Sequence, residues 1–432
     1  VTRRLWLLAL FLATIGGAFY FLHRRQPPAN RPALAAHTPA RQPDRLILTW
    51  NGDPSTTQAV TWRTSVDVQS AVAEIAVAED GPLFVDKARR IPAATQPFES
   101  DLGPAHYHSV VFEGLEPETL YVYRVGDGEE AWSEWQQFRT MAAEAKPLTF
   151  LYVGDAQNSI FSLWSRLIRQ GYSTAPEADF IIHAGDLINR ANLDAEWGDW
   201  FLAAGWINGK LASVPMPGNH EYDKGANGRT LSRHWAPTFT LPENGPSGPP
   251  PETSYSLDIQ GVRLVALNSN EGQAEQAAWL DELLADNPNR WTVVAHHHPI
   301  FSASKDRDNP ELRALWQPVY DRHGVDLVLQ GHDHTYARSN LMTGENVQSG
   351  PAGTVYVVSV SGPKMYEVDQ EPWMVRSAQD TQLFQKIRID GDALRYESYT
   401  ARGLLYDAFE LRKHDGEANE LVELPVELEP LQ

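Results

Sequence analysis

Phe150-Leu151-Tyr152-Val153-Gly154-Asp155 is a run of four apolar, β-prone residues that stops on a glycine and a carboxylate. The same arrangement recurs down the chain. Phe180-Ile181-Ile182 leads to Gly185-Asp186, Val293-Val294 to His296-His297-His298-Pro299, and residues 325–329 to Gly331-His332-Asp333-His334. Val214-Pro215-Met216-Pro217 leads to Gly218-Asn219-His220-Glu221, and its prolines make it the weakest strand of the set. Short apolar runs closed by turn residues predict buried strands. Segments 161–170, 192–201, 273–285 and 311–322 carry apolar residues at three- and four-residue spacing and predict helices, the last with Asn309 as cap and Pro310 at its first position. Strands alternating with helices define an α/β domain. Ligands bind beyond the carboxyl ends of strands in open sheets of this kind. Carboxylates, an amide and imidazoles gathered there form a hard-to-borderline set of metal donors, so five such blocks point to a two-metal hydrolase.

The region before residue 140 has a different texture. Residues 46–50, 59–63, 72–78, 107–112, 120–125 and 135–139 read as short strands separated by Asn51-Gly52-Asp53-Pro54, Glu79-Asp80-Gly81-Pro82 and Gly126-Asp127-Gly128. Regular short strands with turn signals between them predict a β-sandwich. Residues 114–125, where tyrosines alternate with aliphatics, resemble a fibronectin type III strand pair. A short Ala/Glu/Lys/Pro linker, residues 141–147, follows. Beyond it, residues 253–259 turn through Gln260-Gly261 into 263–268 as a hairpin, and 354–359, 383–389 and 394–399 add strands. The expected architecture is an N-terminal all-β sandwich of the fibronectin type III kind over 45–140. An α/β domain over 147–414 follows, with two mixed sheets flanked by helices, and then an acidic tail over 415–432.

Composition narrows the function. A hydrophobic share of 42% and a charged share of 21% are those of a globular protein. A net charge of −20 argues against gripping nucleic acid by its phosphates, which needs a basic surface. It leaves a small anionic substrate open, because bound dications reverse the field locally. Cysteine is absent, which removes disulfides, thiolate sites and cysteine nucleophiles together. Residues 1–44 read as a signal or membrane anchor: Arg3-Arg4, an apolar run over 5–22, His23-Arg24-Arg25, then a Pro/Ala-rich stalk. Thr2-Arg3-Arg4-Leu5-Trp6-Leu7 resembles a twin-arginine export signal. The expectation is an exported protein, periplasmic or extracellular, anchored by 5–22 or cleaved after it.

The blocks Asp155, Asp186, Asn219-His220, His297 and His332/His334 resemble, in that order, the signature of the calcineurin-like metallophosphoesterases. The preceding sandwich makes the purple acid phosphatase branch the nearest match. The resemblance implies one cation held by Asp155, a bridging Asp186 and His334, and a second held by Asp186, Asn219, His297 and His332. His297 is chosen from its triple because it stands two before Pro299. Two cations about 3.5–4 Å apart would supply a hydroxide nucleophile near neutral pH. His220 is expected beside the phosphate as the catalytic donor or acid. The cofactors implied are two divalent ions, Fe, Mn or Zn.

Two positions depart from the pattern. Asn189 stands where purple acid phosphatases carry an iron-binding tyrosine, so no purple colour and weaker selection for ferric iron are expected. Asp155-Ala156-Gln157 replaces the Asp-x-His of many relatives, and Gln157 reads either as a ligand to the first metal or as a nearby hydrogen-bonding group. Both are carried as candidate metal residues. His296 and His298 read as structural or supporting, and His183 as a satisfied buried histidine. Glu221, Arg190, Tyr222 and residues 301–305 are expected to shape the pocket. The function expected is phosphomonoester hydrolysis on a phosphorylated small molecule or phosphoprotein. Phosphodiesterase or nucleotide pyrophosphatase activity, and an inactive surface binding protein, are the alternatives. The oligomeric state is not written in the sequence.

Overall fold

The computed structural model describes residues 37–225, 228–344, 346–347 and 353–427. The anchor at 5–22 and most of the stalk lie outside them. Among the described residues no helix is long and apolar enough to cross a membrane.

The N-terminal sandwich has two four-stranded antiparallel sheets. Asp44–Thr49, Gln58–Thr64, Gly103–Phe112 and Ala94–Ser100 lie side by side in one; Arg89–Pro92, Val72–Val77, Leu120–Gly126 and Gln136–Arg139 do so in the other. Leu48, Val60, Trp62, Ile75, Phe112, Tyr123 and Phe138 fill the space between them. The Glu116 N–H donates to the Tyr121 hydroxyl at 2.8 Å and pins the turn that starts the Leu120 strand. The sequence pattern does not reveal strands Arg89–Pro92 and Ala94–Ser100, which carry Pro92 and Pro97. Both are edge strands, where a residue without an N–H costs no ladder bond.

The α/β part contains two seven-stranded mixed sheets. In the first, Ala212–Pro215, Phe180–His183 and Leu148–Val153 run parallel and continue into the antiparallel strands Leu383–Asp390, Ala393–Thr400, Leu405–Arg412 and Glu420–Glu423. The acidic tail thus contributes an edge strand. Pro215 closes the outermost parallel strand, again at an edge. In the second sheet, Tyr255–Ile259, Val262–Leu267, Trp291–His296, Leu327–Gln330 and Val355–Val358 are neighbours in that order. Alternation decides which face each residue covers. Leu264, Ala266, Val293 and Ala295 join the core shared with the first sheet. Val265, Leu267 and Val294 turn the other way, onto helices Gln273–Ala285 and Pro310–His323. Helices Ser165–Thr174 and Asp194–Ala204 pack into the shared core from the first sheet's side, and a single π-helical turn, Ile160–Trp164, leads into the former. The Tyr152 hydroxyl donates to the Gln330 carbonyl, and that of Tyr255 to Pro215 at 2.8 Å, so hydrogen bonds join the two sheets. Asn309 does not cap its helix through its side chain. Its amide donates instead to the Pro299 and Arg307 carbonyls, tying the helix entry to the histidine loop.

The described residues from 39 onward form one compact unit. The stretch 141–147 is no free linker: Met141 and Ala142 are buried, and the Ala142 N–H donates to Gln260 Oε1 at 2.7 Å. Across the contact, Arg45 grips Asp194 with two bonds of 2.7 Å, while Arg63 and His234 each reach the same carboxylate at 3.0 Å. The Asp101 carboxylate, on a sandwich turn, accepts the Asp194 N–H at 2.8 Å and so caps helix Asp194–Ala204 from the other part of the molecule.

His108 gives the sandwich a pH dependence. Its ring is buried between Thr64 and Thr95, and burial, then the nearby His106, push its pKa down to about 4. A depressed histidine stabilises the fold above its unfolded pKa of about 6.5 and loses that contribution as pH falls towards the folded value. Between pH 7 and pH 4.5 the loss is about 2 kcal/mol. Urea midpoints should fall over that interval, and His108→Gln should flatten the slope.

Candidate metal centre

Every site block sits at the carboxyl end of a strand, in loops that approach one another closely. A Cβ on Gly185, whose φ is +83°, would lie 2.7 Å from both Gly218 N and His297 Nδ1. A Cβ on Gly218 would lie 2.2 Å from Asp186 Oδ1. Only glycine permits that approach. Asp155, Asp186, His332 and His334 all adopt left-handed backbone, with φ of 55°, 53°, 74° and 50°. Non-glycine residues there carry strain of about 1 kcal/mol or more each, and such strain gathers at functional sites.

The six residues expected to hold metal come together. Asp155, Asp186 and His297 each place a ligand atom within 4.8 Å of the other two, and all three are buried. His297 Nε2 lies 3.3 Å from Asp186 Oδ2, 3.3 Å from Asn219 Oδ1 and 3.1 Å from His332 Nδ1. His334 Nε2 stands 3.8 Å from Asp155 Oδ1. Gln157 is fully buried, its Nε2 at 2.9 Å from Asp186 Oδ2 and 3.2 Å from His334 Nε2, and its Oε1 without a hydrogen-bond partner among the described residues.

Main-chain carbonyls orient the rings. His297 Nδ1 donates to the Ala184 carbonyl at 2.9 Å and His334 Nδ1 to that of Lys364 at 3.1 Å, which leaves each Nε2 with a lone pair facing the carboxylates. These donors fit two cations. Facing imidazole nitrogens at 3.1 Å beside buried carboxylates favour positive charge between them. Without a metal that charge is a proton: burial disfavours it, but Asp186 and Asp155 outweigh burial and raise His297 to about 9. Burial, opposed by His297, holds the Asp155 carboxyl well above the usual range. For Asp186 the balance is reversed, and His297 overcomes burial to hold it below that range. Burial brings His334 down to about 3, with Lys364 adding to the effect.

His220 is half-buried at the rim. Its Nδ1 donates to the Asn189 carbonyl at 2.6 Å, its N–H donates to Asp186 Oδ1 at 2.8 Å, and its Nε2 is 3.9 Å from Asp186 Oδ2. Asn189 therefore meets the site through its main chain, and its side chain makes no hydrogen bond to a site residue. Both residues line a cavity of about 510 Å³ together with Asp101, Arg190, Asn192 and Lys224.

Several sequence expectations are corrected. Glu221 does not face the pocket: it is fully buried and accepts the N–H groups of Gly218 at 2.7 Å and of Asp186 and Leu187 at 2.8 Å. The signal was available, because a glutamate three residues after a turn start is the reach-back half of a capping box. Burial, then Asp186, raises its pKa to about 7 against those donors. His183 is buried against Trp200, but among the described residues its Nε2 has no partner, so it is not satisfied. Residues 302–303 bind Asp333, whose carboxylate accepts Ser302 Oγ and the Ala303 N–H at 2.7 Å and Arg307 at 3.0 Å. His298 joins His297 and His332 in a second group of ring nitrogens within 4.8 Å, a placement the sequence reading missed.

This fold and donor arrangement define a metallophosphoesterase. Residues 148–336 match the calcineurin-like phosphoesterase family model, and residues 43–140 match the N-terminal domain of purple acid phosphatases. Purple acid phosphatase 23 of Arabidopsis thaliana is 27% identical over 358 residues, 72% of this chain and 76% of that protein. Acid phosphatase type 7 of Homo sapiens is 26% identical over 368 residues, 75% of this chain and 78% of that one. Among solved structures, the purple acid phosphatase PPD1 from yellow lupin (Lupinus luteus) seeds shares the fold with a TM-score of 0.71 at 19% identity, over 86% of this chain and 74% of that one. The chain carries the N-terminal domain of purple acid phosphatases followed by a calcineurin-like phosphoesterase domain, the domain pair of an acid phosphatase-like phosphoesterase.

Glu221→Gln tests the loop clamp. An amide NH₂ would face a backbone N–H, so unfolding of the metal-free protein should become easier by about 2 kcal/mol. Metal affinity, read by calorimetric titration, should fall with it.

Proposed function

We propose that the chain hydrolyses phosphoric monoesters using two divalent cations. Asp155, Asp186, His334 and Gln157 would hold the first, and Asp186, Asn219, His297 and His332 the second. The observation that carries this reading is Asp186: buried, with His297 Nε2 at 3.3 Å and Gln157, itself 3.2 Å from His334, at 2.9 Å. Gln157 sits at the spacing of one ligand to another, and turning its amide over would give Oε1 to the first cation. When bound, the cations supply Lewis acidity that activates water and offsets phosphoryl charge. The chain supplies the rest. Buried donors keep bulk water out, and His220, anchored through Nδ1, exchanges a proton at Nε2 with the leaving group. The cavity beside His220 gives that group room, and Asp101 brings the sandwich into its wall.

Asn189 in place of a tyrosine leaves no phenolate for ferric iron, which favours Mn²⁺, Fe²⁺ or Zn²⁺. The apolar run at 5–22 and the family resemblance support action outside the cytoplasm, on a phosphorylated small molecule or phosphoprotein.

Metal-dependent hydrolysis of p-nitrophenyl phosphate should exceed that of bis-p-nitrophenyl phosphate; the reverse order would make the chain a diesterase. Asp186→Ala should abolish metal binding and turnover together, and full activity in that variant would end the assignment. His220→Ala should lower kcat about 100-fold or more with both metals retained. Iron-loaded protein should show no visible charge-transfer band; a purple sample would restore a tyrosinate-like ligand.

A further inference from the structure

We infer that His298 is a substrate-binding residue: a neutral imidazole, its proton fixed on Nε2, that donates to a phosphoryl oxygen on the side of the second cation. The inference rests on the two-cation reading above and adds a residue to it.

Position comes first. His298 follows His297 just beyond strand Trp291–His296, and its ring centroid is 4.4 Å from that of His332 and 5.0 Å from that of His297. His297 is buried, but His298 and His332 are partly open, so they form the accessible side of this group. The residue that holds His298, Ser269, lies just past strand Val262–Leu267. Its neighbour Asn270 donates to the Pro217 carbonyl at 3.0 Å, immediately before the loop that carries Asn219. His298 therefore flanks His297 and His332, two of the residues on the side of the second cation.

The proton's place follows from Ser269. Its Oγ accepts the His298 main-chain N–H at 2.9 Å and lies 2.8 Å from His298 Nδ1. Among the described residues the Ser269 hydroxyl makes no other hydrogen bond, so Nδ1 is the acceptor left for its proton. The hydroxyl donates there, and a neutral imidazole that accepts at Nδ1 carries its proton at Nε2. Nε2 makes no hydrogen bond to any described residue.

His297 and His334 are built the opposite way. Each donates from Nδ1 to a carbonyl and turns a lone pair inward, as a metal ligand must. His298 accepts at Nδ1 and presents an N–H. That arrangement disqualifies Nε2 as a ligand and makes it a donor for an anionic oxygen. Histidine in the middle of His297-His298-Pro299 thus has a chemical task that packing alone would not require.

The test uses full-length protein loaded with Mn²⁺ and inorganic phosphate as the probe. Metal content should stay at the wild-type value in His298→Ala, His298→Gln and Ser269→Ala. The phosphate Kd should rise about tenfold or more in His298→Ala, and by less in Ser269→Ala, where the ring remains but its tautomer is released. Nitrogen-15 NMR of the wild-type ring should show a bare Nδ1 and a protonated Nε2. Loss of a metal equivalent in His298→Ala would make the residue a ligand and overturn the inference. An unchanged phosphate affinity in folded His298→Ala and His298→Gln would reduce it to packing and also overturn it, as would a protonated Nδ1. If the wild-type chain binds no transition metal, the two-cation reading fails separately, and the ring tautomer, which needs no metal, still decides the geometry claimed for His298.

Discussion

Two buried carboxylates, Asp155 and Asp186, within reach of one another and of His297, are the constraint around which the α/β part is organised. Like charges so placed repel, and burial removes the water that would screen them. Each device around them answers that cost. The His332 N–H donates to both oxygens of Asp155 at 2.9 Å, and the His220 N–H and the Gln157 amide donate to Asp186. Glu221 then fixes the loop on which Asp186 stands by collecting four main-chain N–H groups, those of Asp186, Leu187, Ile188 and Gly218. Bound cations would neutralise the remaining charge, so the same arrangement that burdens the metal-free fold is the one suited to binding metal.

The sandwich contributes to this site through rigidity and through one wall. Its Arg45 and Arg63 converge with His234 on Asp194, all buried, and removing one partner of such a network leaves an uncompensated charge inside the protein. Asp194 begins the helix that follows the Asn189–Arg190 loop, and the Asn189 carbonyl orients His220. The chain of contacts from the sandwich to the His220 ring is therefore short. Asp101 has two places in it, capping that helix and lining the cavity beside His220.

Three histidines within two loops also acquire different chemistries from their second nitrogen. A carbonyl partner at Nδ1 makes His297 and His334 inward-facing bases, and a hydroxyl partner makes His298 an outward donor. The side chain is the same in all three, and only the neighbour's hydrogen-bonding sense differs.

The sequence by itself determined the two architectures, most of their strands and helices, and the set of six candidate ligands. These are written in local patterns: apolar runs ending on Gly-Asp, Gly-Asn-His and Gly-His-x-His, and three- to four-residue helical spacing. Where strands went unseen, as at Pro92 and Pro97, local propensity argued against them and only an edge position allowed them. The tertiary structure alone decided the extra N–H groups that Glu221 collects from the Asp186 loop, the capping of a helix by Asp101 and the proton positions on the histidines. Each of the last two depends on a partner remote in sequence, such as the Ala184 carbonyl, 113 residues from His297. A periodic pattern can say which face a residue covers, but a hydrogen bond across folded loops exists only once the glycines have let those loops meet.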